Sequence, residues 1–202
     1  MNTILLTGFG PFPGAPSNPT GALAQRLARR QRPAFTNIRR IAHVFHTSYA
    51  AVERDLPSLI TRHKPDAILM FGLATRTPYL RIETRAQNAA SMLFADAERC
   101  KPSARHLSQS TLSAMAIRAP STNLLQAARA AGVPVRLSRD AGRYLCNAVF
   151  WRALEAAGHR DGPRVVAFVH LPRVRPGLTL GDLTRGGEAI LLAVLAAARR
   201  PH

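Results

Sequence analysis

The sequence predicts an α/β fold, and three observations carry that prediction. Short, fully apolar runs of strand length recur along the chain. Amphipathic stretches of helical period separate them, and glycine or proline marks the junctions. With 47% apolar and 19% charged residues over 202 positions, the composition is that of one globular domain with a sizeable core.

Taken in order, residues 4–7 form a short buried strand that runs into a Gly- and Pro-rich loop over 8–16. Asn18 stands where a helix N-cap is needed, with Pro19 at the first helical position, where its missing N–H costs nothing. The helix covers about 20–30, with Leu23 and Leu27 one turn apart. Residues 38–44 alternate polar and apolar, as a half-exposed second strand would, and 49–63 is a helix closed by Pro65. The apolar run 67–71, ended by Gly72, belongs in the middle of a sheet. Residues 80–85 read as a further strand. The stretch 87–120 has weak periodicity and is expected to be an irregular excursion or an edge hairpin. A helix over 122–131 ends at Gly132, a residue that tolerates the left-handed cap. A strand over 133–137, a turn over 138–142 and a helix over 144–157 ended by Gly158 follow. Residues 165–170 are the last strong strand, stopped by Pro172. Thr179 and Asp182 have capping-box spacing before a closing helix over 180–200. Neither a repeat nor a linker divides the chain, so a single domain over 1–202 is expected.

Charge is the loudest compositional feature: 28 basic against 11 acidic residues, a formal +17. Among the basic residues only Lys64 and Lys101 are lysine, and the arginines are scattered, with Arg29-Arg30, Arg39-Arg40 and Arg199-Arg200 the only doublets. No zinc spacing, basic zipper or RNA-binding signature accompanies them, so the charge alone does not point to nucleic acid. Two cysteines cannot make a disulfide scaffold and fit a reducing compartment. No apolar run is long enough to span a membrane, and the opening residues lack a basic region and a cleavage site. A cytoplasmic protein is the expectation.

Three chemistry-bearing side chains fall where loops and helix starts converge at strand ends. Cys146 lies after a strand and a tight turn, in the first turn of a helix, where the dipole favours a thiolate. His170 closes an apolar strand, and Glu83 lies beyond Gly72 in Arg81-Ile82-Glu83-Thr84-Arg85. A thiol, an imidazole to take its proton and a carboxylate to orient the imidazole make a hydrolase triad. Each also has an ordinary reading: a buried apolar Cys, a structural His, and an exposed ion pair at Glu83. Cys100, in the irregular stretch, reads as incidental. His43 and His46 stand three apart with no third metal ligand following.

Four blocks resemble, in the same order, those of the pyroglutamyl peptidase I (pyrrolidone carboxyl peptidase) family of cysteine peptidases. They are Gly8-Phe9-Gly10-Pro11-Phe12 with Asn18-Pro19, Glu83-Thr84-Arg85-Ala86-Gln87-Asn88, Ser138 through Asn147, and Phe168-Val169-His170-Leu171-Pro172. The resemblance implies a three-layer α/β/α sandwich with a largely parallel twisted sheet. It also implies removal of N-terminal pyroglutamate (5-oxoproline) from peptides, no metal or organic cofactor, and a homo-oligomer. Mapped residue by residue, Cys146 is the nucleophile, His170 the base and Glu83 the acid. Phe9 and Phe12 would wall a flat, neutral lactam, although both also suit anchoring of the Pro-rich loop. Asn18 matches the family's loop Asn, and its role as helix cap is equally good.

Two departures stand out. Where the family usually has Gln after the central strand this chain has Leu73, and the family's acidic stretch after Asn88 is replaced by Ala89-Ala90-Ser91-Met92-Leu93. Both bear on specificity more than on chemistry, so Leu73 joins Phe9, Phe12 and Asn18 as a substrate-binding candidate. Two other readings compete: a triad hydrolase of another small cyclic amide or acyl group, and a non-catalytic basic binding protein.

Overall fold

The computed structural model describes residues 2–12 and 14–199, so Met1, Pro13 and the expected helix end at Arg200 lie outside the described residues. In chain order the elements are β1 (Asn2–Phe9), α1 (Pro19–Arg29), β2 (Ile38–Phe45), α2 (Tyr49–His63), β3 (Ala67–Leu73), β4 (Leu80–Glu83), β5 (Arg85–Gln87), β6 (Ala114–Ala116), α3 (Ser121–Ala130), β7 (Val135–Ser138), α4 (Leu145–Ala156), β8 (Val165–Leu171) and α5 (Leu180–Ala198). The main sheet has the order β2-β1-β3-β8-β4-β7. Four strands run parallel; β4 and β7 run parallel to each other and antiparallel to those four.

Strand alternation sorts the core into two layers. Ile4, Leu6, Leu69, Ala167 and Val169 face α1, α3 and α5, meeting Leu23, Leu124 and Ile190. Leu5, Ile68, Met70, Val166 and Phe168 face α2 and α4, meeting Val52, Leu56, Val149 and Trp151. From β1 the chain crosses to β2 on one side and from β3 it continues to β4 on the other, so it diverges at the carboxyl ends of β1 and β3, where open α/β sheets form their crevices.

The expected strand over 80–85 breaks at Thr84, whose N–H and hydroxyl both bond to the Ser138 carbonyl. Beyond the break, β5 leaves the main sheet and pairs antiparallel with β6. The stretch between them is irregular, so hairpin and excursion coexist. Asn88 organises it: its Oδ1 accepts from the N–H groups of Leu107 and Ser108, and its Nδ2 donates to the carbonyls of Ser108 and Ser110. The strand expected from 133 begins at Val135 instead, since Pro134 offers only its carbonyl, to Leu80. Asn18 caps α1, Ser48 caps α2, and the Thr179–Asp182 capping box starts α5.

Much of the arginine has a structural use. A guanidinium from elsewhere in the chain bonds a carbonyl at the end of every α-helix: Arg40 to Leu27 in α1, Arg39 to His63 in α2, Arg185 to Ala131 after α3, Arg118 to Ala157 after α4 and Arg164 to Ala198 in α5. Apart from that of Leu27, which also accepts from the Arg30 N–H, these carbonyls have no backbone partner among the described residues, and all carry the negative end of the dipole, so a cation there is favoured. Arg164→Met removes the 2.7 Å contact to Ala198 together with the 3.2 Å ion pair to Asp66, and is expected to lower unfolding free energy by about 1–2 kcal/mol more than Asp66→Asn does, read as shifted denaturant midpoints. Equal midpoints for Arg164→Met and Asp66→Asn would show that the cap contributes nothing.

Candidate active site

The site is assembled on the sheet face that carries α2 and α4. In the antiparallel β4–β8 pair, Arg81 stands opposite His170 and Glu83 opposite Phe168, so all four side chains share one face. Glu83 Oε1 lies 2.7 Å from His170 Nδ1, which donates to it. Glu83 is fully buried and His170 is 5% exposed, which overturns the reading of Glu83 as an exposed ion pair. Arg81 donates to the same Oε1 from Nε at 2.9 Å and from Nη2 at 2.7 Å. Arg85, the other flanking arginine, bonds instead to the Arg139 carbonyl. A buried carboxylate needs such partners, and it has them on one oxygen.

Cys146 arrives from the opposite side, on α4. The turn before it is held by Ser138 Oγ, which accepts from the Asp140 N–H, and by Asp140 Oδ1, which accepts from the Gly142 N–H. Gly142 has a φ of +80°, a left-handed conformation that a side chain would strain. The Tyr144 side chain does not cap α4, in contrast to the caps of α1, α2 and α5. The first-turn N–H groups around Cys146 are thereby left for a ligand. Asn147 fixes the depth of the helix: its Oδ1 accepts from the Gln87 N–H, and its Nδ2 donates to the carbonyls of Gln87 and Ala89.

Room for the sulfur comes from Gly72. It stands opposite His170 in the β3–β8 register, and a Cβ there would meet Cys146 Sγ at 2.7 Å and the Phe168 ring at 2.7 Å. The thiol therefore sits over the Gly72–His170 pair. Burial alone lowers the His170 pKa, but the Cys146 sulfur and the Glu83 carboxylate outweigh it and raise the value to about 9. With Nδ1 bonded to Glu83, Nε2 is the ring nitrogen left for the thiol.

Beside Cys146 is a small cavity of about 60 Å³, lined by Phe9, Phe12, Asn18, Thr47, Leu73, Tyr144 and Leu145. All four substrate-binding candidates from the sequence meet there. Phe9 is buried at the end of β1 and Phe12 is half-buried on the following loop. The Asn18 side chain is also structural: Oδ1 accepts from the Thr20 N–H and hydroxyl, and Nδ2 donates to the Gly10 carbonyl. Thr47, Tyr144 and Leu145 were not singled out from sequence. The last two immediately precede Cys146, whereas Thr47, which donates from its hydroxyl to Gly10, carries no local signal. Larger depressions exist, one on the Arg26, Arg29 and Arg30 face of α1 and one adjoining this cavity, but Cys146 lines neither. Among the described residues no three His, Cys, Asp or Glu side chains gather as metal ligands. Among the described residues no helix is long and apolar enough to cross a membrane.

Comparison with known proteins points the same way. The family described as pyroglutamyl peptidase matches residues 2–199. The pyrrolidone-carboxylate peptidase of Gloeobacter violaceus is 31% identical over 93% of this chain and 94% of its own. That of Thermococcus kodakarensis is 27% identical over 95% of each. The solved pyrrolidone carboxyl peptidase of Thermococcus litoralis superposes with a TM-score of 0.89 at 24% identity, over 97% of this chain and 94% of its own, and so shares the fold. By the family match over nearly its whole length, this chain belongs to the pyroglutamyl peptidase family of cysteine peptidases.

Proposed function

We propose that this chain removes N-terminal pyroglutamate from peptides by covalent thiol catalysis at Cys146. The observation that carries the reading is the buried Glu83–His170 hydrogen bond beside a thiol that borders an uncharged aromatic cavity. His170 already holds the proton of the Cys146–His170 pair on Nε2, and Cys146 Sγ attacks the carbonyl joining the pyroglutamyl ring to the next residue. Glu83 holds the imidazole through Nδ1 and stabilises its cation. The oxyanion of the tetrahedral intermediate is met by N–H groups of the first turn of α4. His170 then gives its proton to the leaving amine as the C–N bond breaks, which leaves a pyroglutamyl thioester. Water attacks that thioester with His170 again taking a proton, and pyroglutamate departs.

Substrate choice follows from the cavity. Phe9, Phe12 and Leu73 present apolar surface, and the lining contains no Asp, Glu, Lys, Arg or His side chain. A neutral lactam ring enters at little desolvation cost, whereas a free α-ammonium group would be buried without a partner. The free thiols of Cys100 and Cys146 support a reducing, cytoplasmic setting. The exposed Leu93 and Phe94 side chains are apolar surface that a homo-oligomer would cover.

Three outcomes test this reading. Cys146→Ala should abolish hydrolysis of pyroglutamyl-aminocoumarin, while Cys100→Ala, at an exposed position, stays within a few-fold of wild type. Equal loss in two folded variants would refute the assignment.

The second concerns pH. With His170 raised to about 9, the imidazolium persists through neutrality and kcat/KM should fall as pH rises through about 9, where the leaving amine loses its proton donor. Glu83→Gln removes a charge that raises that pKa, so the alkaline limb moves to lower pH and the rate drops by about 10²–10⁴-fold. An unmoved limb with a near-normal rate would assign the orienting role to another group.

The third concerns Leu73. If backbone groups and aromatic packing recognise the lactam, pyroglutamyl amides are preferred over prolyl ones, and Leu73→Gln changes kcat/KM by less than about tenfold. A wild type that prefers prolyl amides, or that gains pyroglutamyl cleavage only as Leu73→Gln, would mean that this position has changed the substrate.

A further inference from the structure

The ring cavity accounts for one side of the scissile amide and leaves the other unassigned. A second depression, of about 420 Å³, shares Leu73 and Tyr144 with the ring cavity and has His170 in its wall. Since His170 protonates the leaving amine, the residue carrying that amine lies in this second depression.

Its remaining charged groups are Arg76, Arg81 and Asp140. Arg81 spends Nε and Nη2 on Glu83 and on the Asp140 carbonyl, and its Nη1 has no partner among the described residues. Asp140 Oδ1 is engaged by the Gly142 N–H and the Gln87 amide, so this carboxylate belongs to its own turn. Arg76 is exposed and makes no hydrogen bond or ion pair among the described residues. The loop Thr75-Arg76-Thr77 is also a wall of the adjoining groove, which carries Arg173 and Arg175. Each of those two donates to a backbone carbonyl, of Gly14 and Pro78 respectively, and keeps its charge. Three arginines, Arg76, Arg173 and Arg175, thus border the leaving side against the Asp140 carboxylate, with Arg81 committed to Glu83.

We propose that this depression is a leaving-side subsite selective for a carboxylate on the residue after pyroglutamate, with Arg76 as the recognising cation. The proposal rests on the pyroglutamyl peptidase reading above. The carboxylate has two sources, an Asp or Glu side chain at that position or the free α-carboxylate of a pyroglutamyl dipeptide. Both present two coplanar oxygens suited to a guanidinium fork.

The test measures kcat/KM for pyroglutamyl-alanine amide, pyroglutamyl-glutamate α-amide, pyroglutamyl-lysine amide and free-acid pyroglutamyl-alanine, on wild type and on Arg76→Gln. The ratio to the neutral alanine amide is read within each protein. In wild type at low salt one or both acidic substrates should exceed the neutral one by about three- to tenfold, and the lysine amide should fall below it. Whichever acidic arm rises identifies the source. The preference should shrink at least threefold in Arg76→Gln, and shrink likewise as salt is raised. Equal ratios across the charges, a preference for lysine, or an acidic preference that survives Arg76→Gln would overturn the subsite while leaving the peptidase reading intact. No cleavage of the neutral pyroglutamyl amide would overturn that reading, and the subsite with it.

Discussion

A carboxylate with no exposed surface sits 2.7 Å from a ring nitrogen of a histidine that is itself almost fully buried. Much of the architecture around the site follows from making that contact tolerable. The two residues are 87 positions apart, and they meet because β4 runs antiparallel to β8 in a sheet whose other central strands are parallel. Alternation then puts Arg81 on the same face, two residues before Glu83, with a second cation for the buried charge. Strand pairing at this point is an electrostatic requirement as well as a packing one, since either charge alone would be stranded in the interior.

The sulfur is brought to that pair by separate devices, each with a simple physical reason. Gly72 leaves space that any Cβ would fill, the Gly142 turn lets the chain re-enter the surface, and Asn147 ties α4 to β5 through two hydrogen bonds with Gln87 and to the following Ala89 through a third. The helix that carries Cys146 lacks the side-chain cap found on α1, α2 and α5. What is a defect for helix stability suits anion binding, because first-turn N–H groups without a side-chain acceptor are where helix starts hold anions. The basic composition divides in the same spirit. Five arginines close helix C-termini, Arg81 pairs the buried carboxylate, and Arg76, Arg173 and Arg175 border a groove next to the site.

Elements whose signals are local were legible in the sequence. The apolar runs of β3 and β8, the Asn18-Pro19 start of α1 and the Thr179–Asp182 box before α5 all appear where period and capping chemistry put them. The thiol at a helix start and the imidazole at a strand end were legible for the same reason. The burial of Glu83 was not, because Arg-Ile-Glu-Thr-Arg reads as a solvated ion pair until β8 is laid beside it. The break at Thr84 depends on the Ser138 carbonyl, and Thr47 reaches the cavity only through the packing of the chain after β2. Non-local pairing, which no periodicity encodes, decided each of these.

The central claim is that Cys146 is the nucleophile of a cavity built for the pyroglutamyl ring. Labelling with a pyroglutamyl chloromethyl ketone, followed by peptide mapping and residual-activity measurement, tests it most directly. One label per chain on Cys146, with hydrolysis lost in proportion to labelling, is the predicted result. A label confined to Cys100, or full hydrolysis by protein labelled at Cys146, would contradict it.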